Sequence, residues 1–199
     1  MEDPIAQPYH HGDLRRTLTE SALQMLQESK SWQFTLREVA RRAGVSHAAP
    51  YRHFPDKAAL LSELAKVGFD MLGVELTAAL LDHLSVEEQF AVAAKAYIKF
   101  GNANPALYHL MFSSDAGAQD EVHLNERATS TLNVLIALLE RGQKEGVFKK
   151  RAVQGHAATC WALVHGLTLL SMNGLLLPEK VGDEPIDSAL TTLIEGLRA

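Results

Sequence analysis

One spacing limits what this chain can fold into. From Leu36 to Phe54 it reads LREVARRAGVSHAAPYRHF. Two short helices that cross steeply need apolar residues facing a shared core, a small residue at the crossing and a turn residue that accepts left-handed backbone. Val39 and Ala43 are the inward residues of the first helix, and Ala40 is the small one at the crossing. Gly44 makes the turn, Val45 plugs the core after it, and Pro50 and Phe54 face inward from the second helix. The pattern predicts a helix-turn-helix unit.

Its ends are also written in the sequence. In Thr35-Leu36-Arg37-Glu38 the Thr35 hydroxyl can accept from the Glu38 amide while the Glu38 carboxylate reaches back, which is a capping box. Ser46 is expected to cap the second helix, which ends near Phe54. Pro50 then falls at the fourth helical position and forgoes only the bond to the Ser46 carbonyl. Ala49, just before it, is pushed away from the α region, so the second helix should be short and irregular.

No acid stands between Glu38 and Asp56. The outward positions carry Arg37, Arg41, Arg42, Ser46, His47, Arg52, His53 and Lys57. An acid there would repel phosphate, and affinity for DNA rests largely on neutralising the backbone. Residues 1–57 hold eight Lys and Arg against seven Asp and Glu, whereas residues 58–199 hold eleven against seventeen. A near-neutral head on an acidic body suits an anionic partner for the head. Ala48 and Ala49 are small enough to let a helix end sit deep in the major groove against thymine methyl groups, or are there simply as helix formers. The competing reading is an αα-corner with no DNA role.

The rest of the chain reads as all-α. Asp13 to about Gln27 predicts the first helix, with Leu14, Leu18, Ala22, Met25 and Leu26 on one face. Asp56 should cap a long helix from Lys57 to about Leu81. Further helices are expected over 85–100, after Pro105 through Phe112, over 121–144 ending before Gly146, over 156–173 ending near Gly174 and closed off by Pro178, and over 186–197. The segment SSDAGAQDE reads as a loop. From Ala152 to Pro178 there is no charged residue. That is long enough for a bilayer, but polar side chains interrupt it and a buried core helix is the better match. Cys160 is the only cysteine, so no intramolecular disulfide or cysteine zinc site can form. A reducing, cytoplasmic compartment is expected.

The stretch FTLREVARRAGVSHAAPYRHFPDKAALL resembles the DNA-binding segment of TetR-family transcriptional regulators. The likeness spans Gly12 to Leu61 and is carried by Thr35, Ala40, Gly44, Val45, Ser46, Tyr51, Phe54 and Lys57. Pro50 departs from the commoner leucine but stays apolar. The resemblance implies a three-helix head, residues 1–57, ahead of an all-helical regulatory and dimerisation body, residues 58–199, acting as a homodimer on a palindromic operator. It implies backbone contacts from Thr35, Tyr51, His53 and Lys57, and base reading by Arg37, His47, Ala48 and Ala49. The body segment CWALVHG, with Trp161, His165 and Gly166, is similar to a subgroup with a Trp-x-x-x-His-Gly signature, as are NPALYHLMF and the early YHHG. That label fixes no ligand.

Three classes of function remain to compare. No phosphate loop, nucleophile elbow or paired-carboxylate motif supports an all-helical enzyme. The nine histidines show no zinc-hydrolase spacing, so no metal or cofactor is expected. The reading that fits best is a repressor released by a small, mainly apolar effector, with an effector-independent DNA-binding dimer as the alternative. Phe69, Tyr97, Tyr108, Met111, Phe112, Trp161 and His165 are the expected pocket walls, or else plain core. The helices over 121–144 and 156–173 show more apolar surface than one protomer hides, with Leu167 expected at a two-fold four-helix interface. Such a dimer would hold its heads about 34–36 Å apart, one DNA turn.

Overall fold

In the computed structural model, residues 11–199 are described; the first two residues of the YHHG match lie outside them. The order is α1 (His11–Ser29), α2 (Leu36–Arg42), a 3-10 turn (Pro50–Arg52), α3 (Lys57–Ala79), α4 (Val86–Ala103), α5 (Pro105–Met111), α6 (Gln119–His123), α7 (Glu126–Lys144), α8 (Val153–Met172), α9 (Pro178–Val181) and α10 (Pro185–Leu197). Among the described residues the only bridge between extended segments joins Phe148 and Arg198. No described helix is long and apolar enough to cross a membrane.

α3 is the axis of the molecule. It packs against α4, α5 and α7, while α4 and α7 pack in turn on α8. Leu14, Leu18, Ala22 and Leu26 of α1 are buried in the same apolar cluster as Leu60, Leu61 and Leu64 of α3 and Leu107 and Leu110 of α5. A smaller cluster joins Phe90, Leu139, Phe148 and Cys160 to Ile194 and Leu197, so α10 closes the far end. Charge ties the same elements together. Glu63 on α3 takes Arg15 of α1 at 2.7 Å and Arg127 of α7 at 2.9 Å, and Arg127 Nε also donates to Asp70 at 2.7 Å.

Four expectations need correction. The helix over 121–144 is two helices, because the Asn125 side chain accepts from the amides of Arg127 and Ala128 at 2.9 and 3.2 Å and starts α7 afresh. An asparagine oxygen at an N-cap satisfies amides that would otherwise have no partner, which favours a break over an unbroken run. The expected loop over 113–121 holds a 3-10 turn (Ser114–Ala116) and the start of α6. It is pinned by Trp32, whose Nε1–H donates to Asp115 at 2.8 Å, and by the fully buried Ala116. Pro178, read as a stop, opens α9 at a first-turn position, where its missing N–H costs nothing. The fourth correction concerns the recognition segment, below.

Candidate nucleic-acid interface and body cavity

The head follows the sequence closely up to Val45. Thr35 Oγ1 accepts from the Glu38 amide at 3.2 Å, and the Thr35 amide donates to Glu38 Oε2 at 2.7 Å. Glu38 is thereby occupied; these Thr35 hydrogen bonds hold its carboxyl below the usual carboxylate range. α2 ends in a Schellman arrangement: the Val45 amide donates to the Ala40 carbonyl at 3.0 Å and the Gly44 amide to Arg41 at 3.2 Å. Gly44 has φ +69°, and a Cβ there would meet nothing within 4 Å. The glycine is needed for its backbone conformation, not for space. Val39, Ala40 and Phe54 are buried, as the crossing requires.

The second helix of the unit is not an α-helix capped by Ser46. The Ala49 amide donates to the Ser46 carbonyl at 3.0 Å, and a 3-10 turn runs from Pro50 to Arg52, with Ala49 as its N-cap. An α-helix from Ser46 would need an N–H at position 50 for the Ser46 carbonyl, and proline has none; the carbonyl takes Ala49 instead, one residue tighter. Ala49 has φ −61° and ψ −41°, so it stays in the α region despite the proline after it.

None of the residues expected to face DNA is buried. Thr35, Arg37, Ser46, His47, Ala48, Tyr51 and Arg52 are exposed; Ala49, His53 and Lys57 are half-buried. Tyr51 is 51 % exposed, a large aromatic side chain left half in solvent. Lys57 follows the Asp56 N-cap, whose side chain accepts from Ala59 at 2.8 Å, and its ammonium lies 5.7 Å from the centre of the Phe34 ring. Arg42 is committed within the head. Its guanidinium holds Glu28 of α1 through two hydrogen bonds, one of 2.6 Å.

Behind the head, α3, α4, α7 and α8 enclose a cavity of about 270 Å³. Of the expected wall residues, Phe69, Tyr97, Phe112 and Trp161 line it. Tyr108, Met111 and His165 do not; they stand one layer back. Met111 is fully buried and packs on Gly68, where a Cβ would lie 2.6 Å from its sulfur. The Tyr108 hydroxyl lies 2.6 Å from His165 Nδ1 and 3.1 Å from the Tyr97 hydroxyl, which in turn accepts from Trp161 Nε1 at 3.4 Å. Tyr108 and His165 therefore orient Tyr97 from behind. Burial pushes both tyrosines up, so both stay protonated. Sequence reasoning missed His123, Leu135, Leu138 and Cys160 as lining residues. His123 was hidden by reading 121–144 as one helix; stacked on Phe112 at 5.5 Å, it ends α6 instead. Burial pushes the Cys160 thiol up to about 12, which leaves it a small apolar surface rather than a nucleophile.

Burial lowers the affinity of both His123 and His165 for a proton. A group whose folded pKa lies below its unfolded value takes up protons more readily in the unfolded chain. The stability it lends is full above about pH 6.5 and is lost as pH falls through the lowered value. The melting temperature is therefore expected to drop between pH 7.5 and 5.5. His123→Phe, which keeps the ring on Phe112, is expected to drop less over the same interval. Equal slopes in a calorimetric pH series would count against neutral burial of His123.

This head and cavity define a helix-turn-helix DNA-binding protein with a helical regulatory body. Residues 18–64 match the family of bacterial regulatory proteins, tetR family, and residues 90–197 match the tetracyclin repressor-like C-terminal domain. The chain belongs to the TetR family of transcriptional regulators, and its relatives are regulators rather than enzymes. A solved structure of a protein of unknown function from Rhodococcus sp. RHA1 is 34 % identical with TM-score 0.81, covering 98 % of this chain and 100 % of that one. A regulatory protein in the tetR family from Rhodococcus RHA1 shares the fold at 17 % identity and TM-score 0.66, covering 90 % and 96 %. The nucleoid occlusion factor SlmA of Cronobacter sakazakii is 28 % identical over 170 residues, 81 % of this chain and 80 % of that protein.

Proposed function

We propose that the chain is a homodimeric repressor that holds a palindromic operator and lets go when a small, mainly apolar effector fills the body cavity. The observation that carries this reading is the course of α3. It starts at Lys57, beside the DNA-facing surface, and supplies Phe69, Leu72 and Leu76 to the cavity wall. Twelve residues of helix place Phe69 about 18 Å from Lys57, a rigid lever between the two sites. A ligand that prefers the lever position of the non-binding state shifts the heads, with a coupling of typically about 1–3 kcal/mol. The head of residues 1–57 would read DNA, with Thr35, Tyr51, His53 and Lys57 on phosphates and Arg37, His47, Ala48 and Ala49 at base edges; Ser46 and Arg52 flank them. The body of residues 58–199 would hold effector and dimer interface. The lone, inert cysteine suits the cytoplasm.

The outward face of α8 supports the dimer. Gly155, Ala158 and Ala162 are exposed, Gly166 is half-exposed, and a Cβ on either glycine would meet nothing within 4 Å. A helical glycine costs about 1 kcal/mol relative to alanine. With no reason for it inside the protomer, the small face serves the close approach of a second α8. Leu167, expected at that interface, is buried inside its own protomer instead.

Anisotropy titration with DNA from upstream of the chain's own gene tests the proposal. Lys57→Ala and Tyr51→Phe should weaken operator and random DNA alike, and Lys57→Ala should lower the slope of log affinity against log salt by about 1. A loss confined to the specific site would move these residues from phosphate to base contacts. A second reading comes from the relatives named nucleoid occlusion factor: a DNA-binding dimer whose output no effector gates. It would stand if no small apolar compound weakened operator binding.

A further inference from the structure

We propose that the body cavity selects uncharged, largely apolar molecules of about ten non-hydrogen atoms, such as a fused two-ring aromatic, and rejects the carboxylate and ammonium analogues of the same skeleton. The inference rests on reading the cavity as the effector site.

The size comes from the volume. An engineered apolar cavity of about 150 Å³ in another protein takes up benzene, with six heavy atoms. A cavity of about 270 Å³ is nearly twice that. The charge preference comes from the wall. Among the described residues no Asp, Glu, Lys or Arg lines it. The arginines of α7 are committed elsewhere: Arg127 to Glu63 and Asp70, Arg141 to Gln89 and Glu145. The Thr131 hydroxyl is already turned to the backbone, with the Phe69 carbonyl at 3.0 Å and the Arg127 carbonyl at 3.1 Å. What remains for a ligand is Tyr97, Trp161 and His123, and burial keeps the imidazole neutral. These groups can share a hydrogen bond with a hydroxyl or carbonyl. None carries a charge in the empty cavity, and a buried ion without a charged partner is strongly disfavoured.

The test is calorimetric titration of the full-length protein at pH 7.5 with 1-naphthol, 1-naphthoate and 1-naphthylmethylammonium. Naphthol is expected to bind saturably, once per protomer, and each ion at least roughly 100-fold more weakly. Ala94→Phe, which fills the cavity from α4, should abolish naphthol binding. Leu132→Lys, which sets an ammonium at the exposed mouth, should bring naphthoate within about tenfold of naphthol. Either ion binding the wild type as tightly as naphthol would overturn the inference, and so would failure of all three to bind. Naphthol bound with operator affinity unchanged would uphold the ligand class and remove the release reading.

Discussion

Ala162→Arg is expected to turn the dimer into a monomer that no longer holds a palindromic operator. Ala162 sits on the outward side of α8, with Ala158 and Gly166 one turn to either side. The whole of α8 carries no charge apart from its histidines, yet much of this face is exposed in the protomer. In a two-fold arrangement one substitution puts two guanidinium groups into the same apolar seam, with no carboxylate on that face to receive them. Breaking a buried apolar contact with unpaired charge costs several kcal/mol per ion. Each half-operator would then be held by one head alone, and affinity for the palindrome should fall at least roughly 100-fold. Light scattering reads the mass, anisotropy reads the DNA, and the melting curve of the isolated protomer should barely move because Ala162 is exposed. Leu167→Arg differs: Leu167 is buried within the protomer, so that change should unfold the chain. A dimer that survived Ala162→Arg would place the interface on another face.

The sequence was most legible where one residue's chemistry decides local geometry. The Thr35–Glu38 box, the Gly44 turn and the cap at Asp56 depend on contacts within a few residues, so pattern and structure agree. Pro50 was half legible. Its missing N–H was plain, but the shift of the Ser46 carbonyl to Ala49 is a choice among tight turns that pattern does not rank. Asn125 was misread because the apolar spacing of 121–144 continues across it, and helical periodicity does not show a cap in the middle of a run. The cavity was legible only in part. Aromatic residues at helical spacing name a core, but whether Tyr108 faces a void or stands behind Tyr97 depends on how α5 sits between α3 and α4. That is set by contacts far apart in sequence, among them Gly68 with Met111 and Gly101 with Thr168.

The second large effect is expected at the last of these contacts. A Cβ on Gly101 would lie 2.2 Å from Thr168 Cγ2 and 3.3 Å from Tyr108 Cδ2. Thr168 is fully buried, and its hydroxyl donates to the Val164 carbonyl at 2.8 Å. A β-branched side chain held by that bond has few rotamers to retreat to, so α4 and α8 must move apart. Overpacking of this kind costs about 1–3 kcal/mol, and Gly101→Ala should reach the upper end because it separates two long helices. The damage should extend to the cavity. Tyr97 stands one turn before Gly101 on α4, and its hydroxyl lies 3.4 Å from Trp161 and 3.3 Å from His165 on α8. Thr168→Ser in the same chain removes the clashing methyl and keeps the hydroxyl. The double variant should recover most of the stability lost by Gly101→Ala alone, measured by denaturant unfolding. If the two changes simply added, the close approach of α4 and α8 at Gly101 would not be what limits that position.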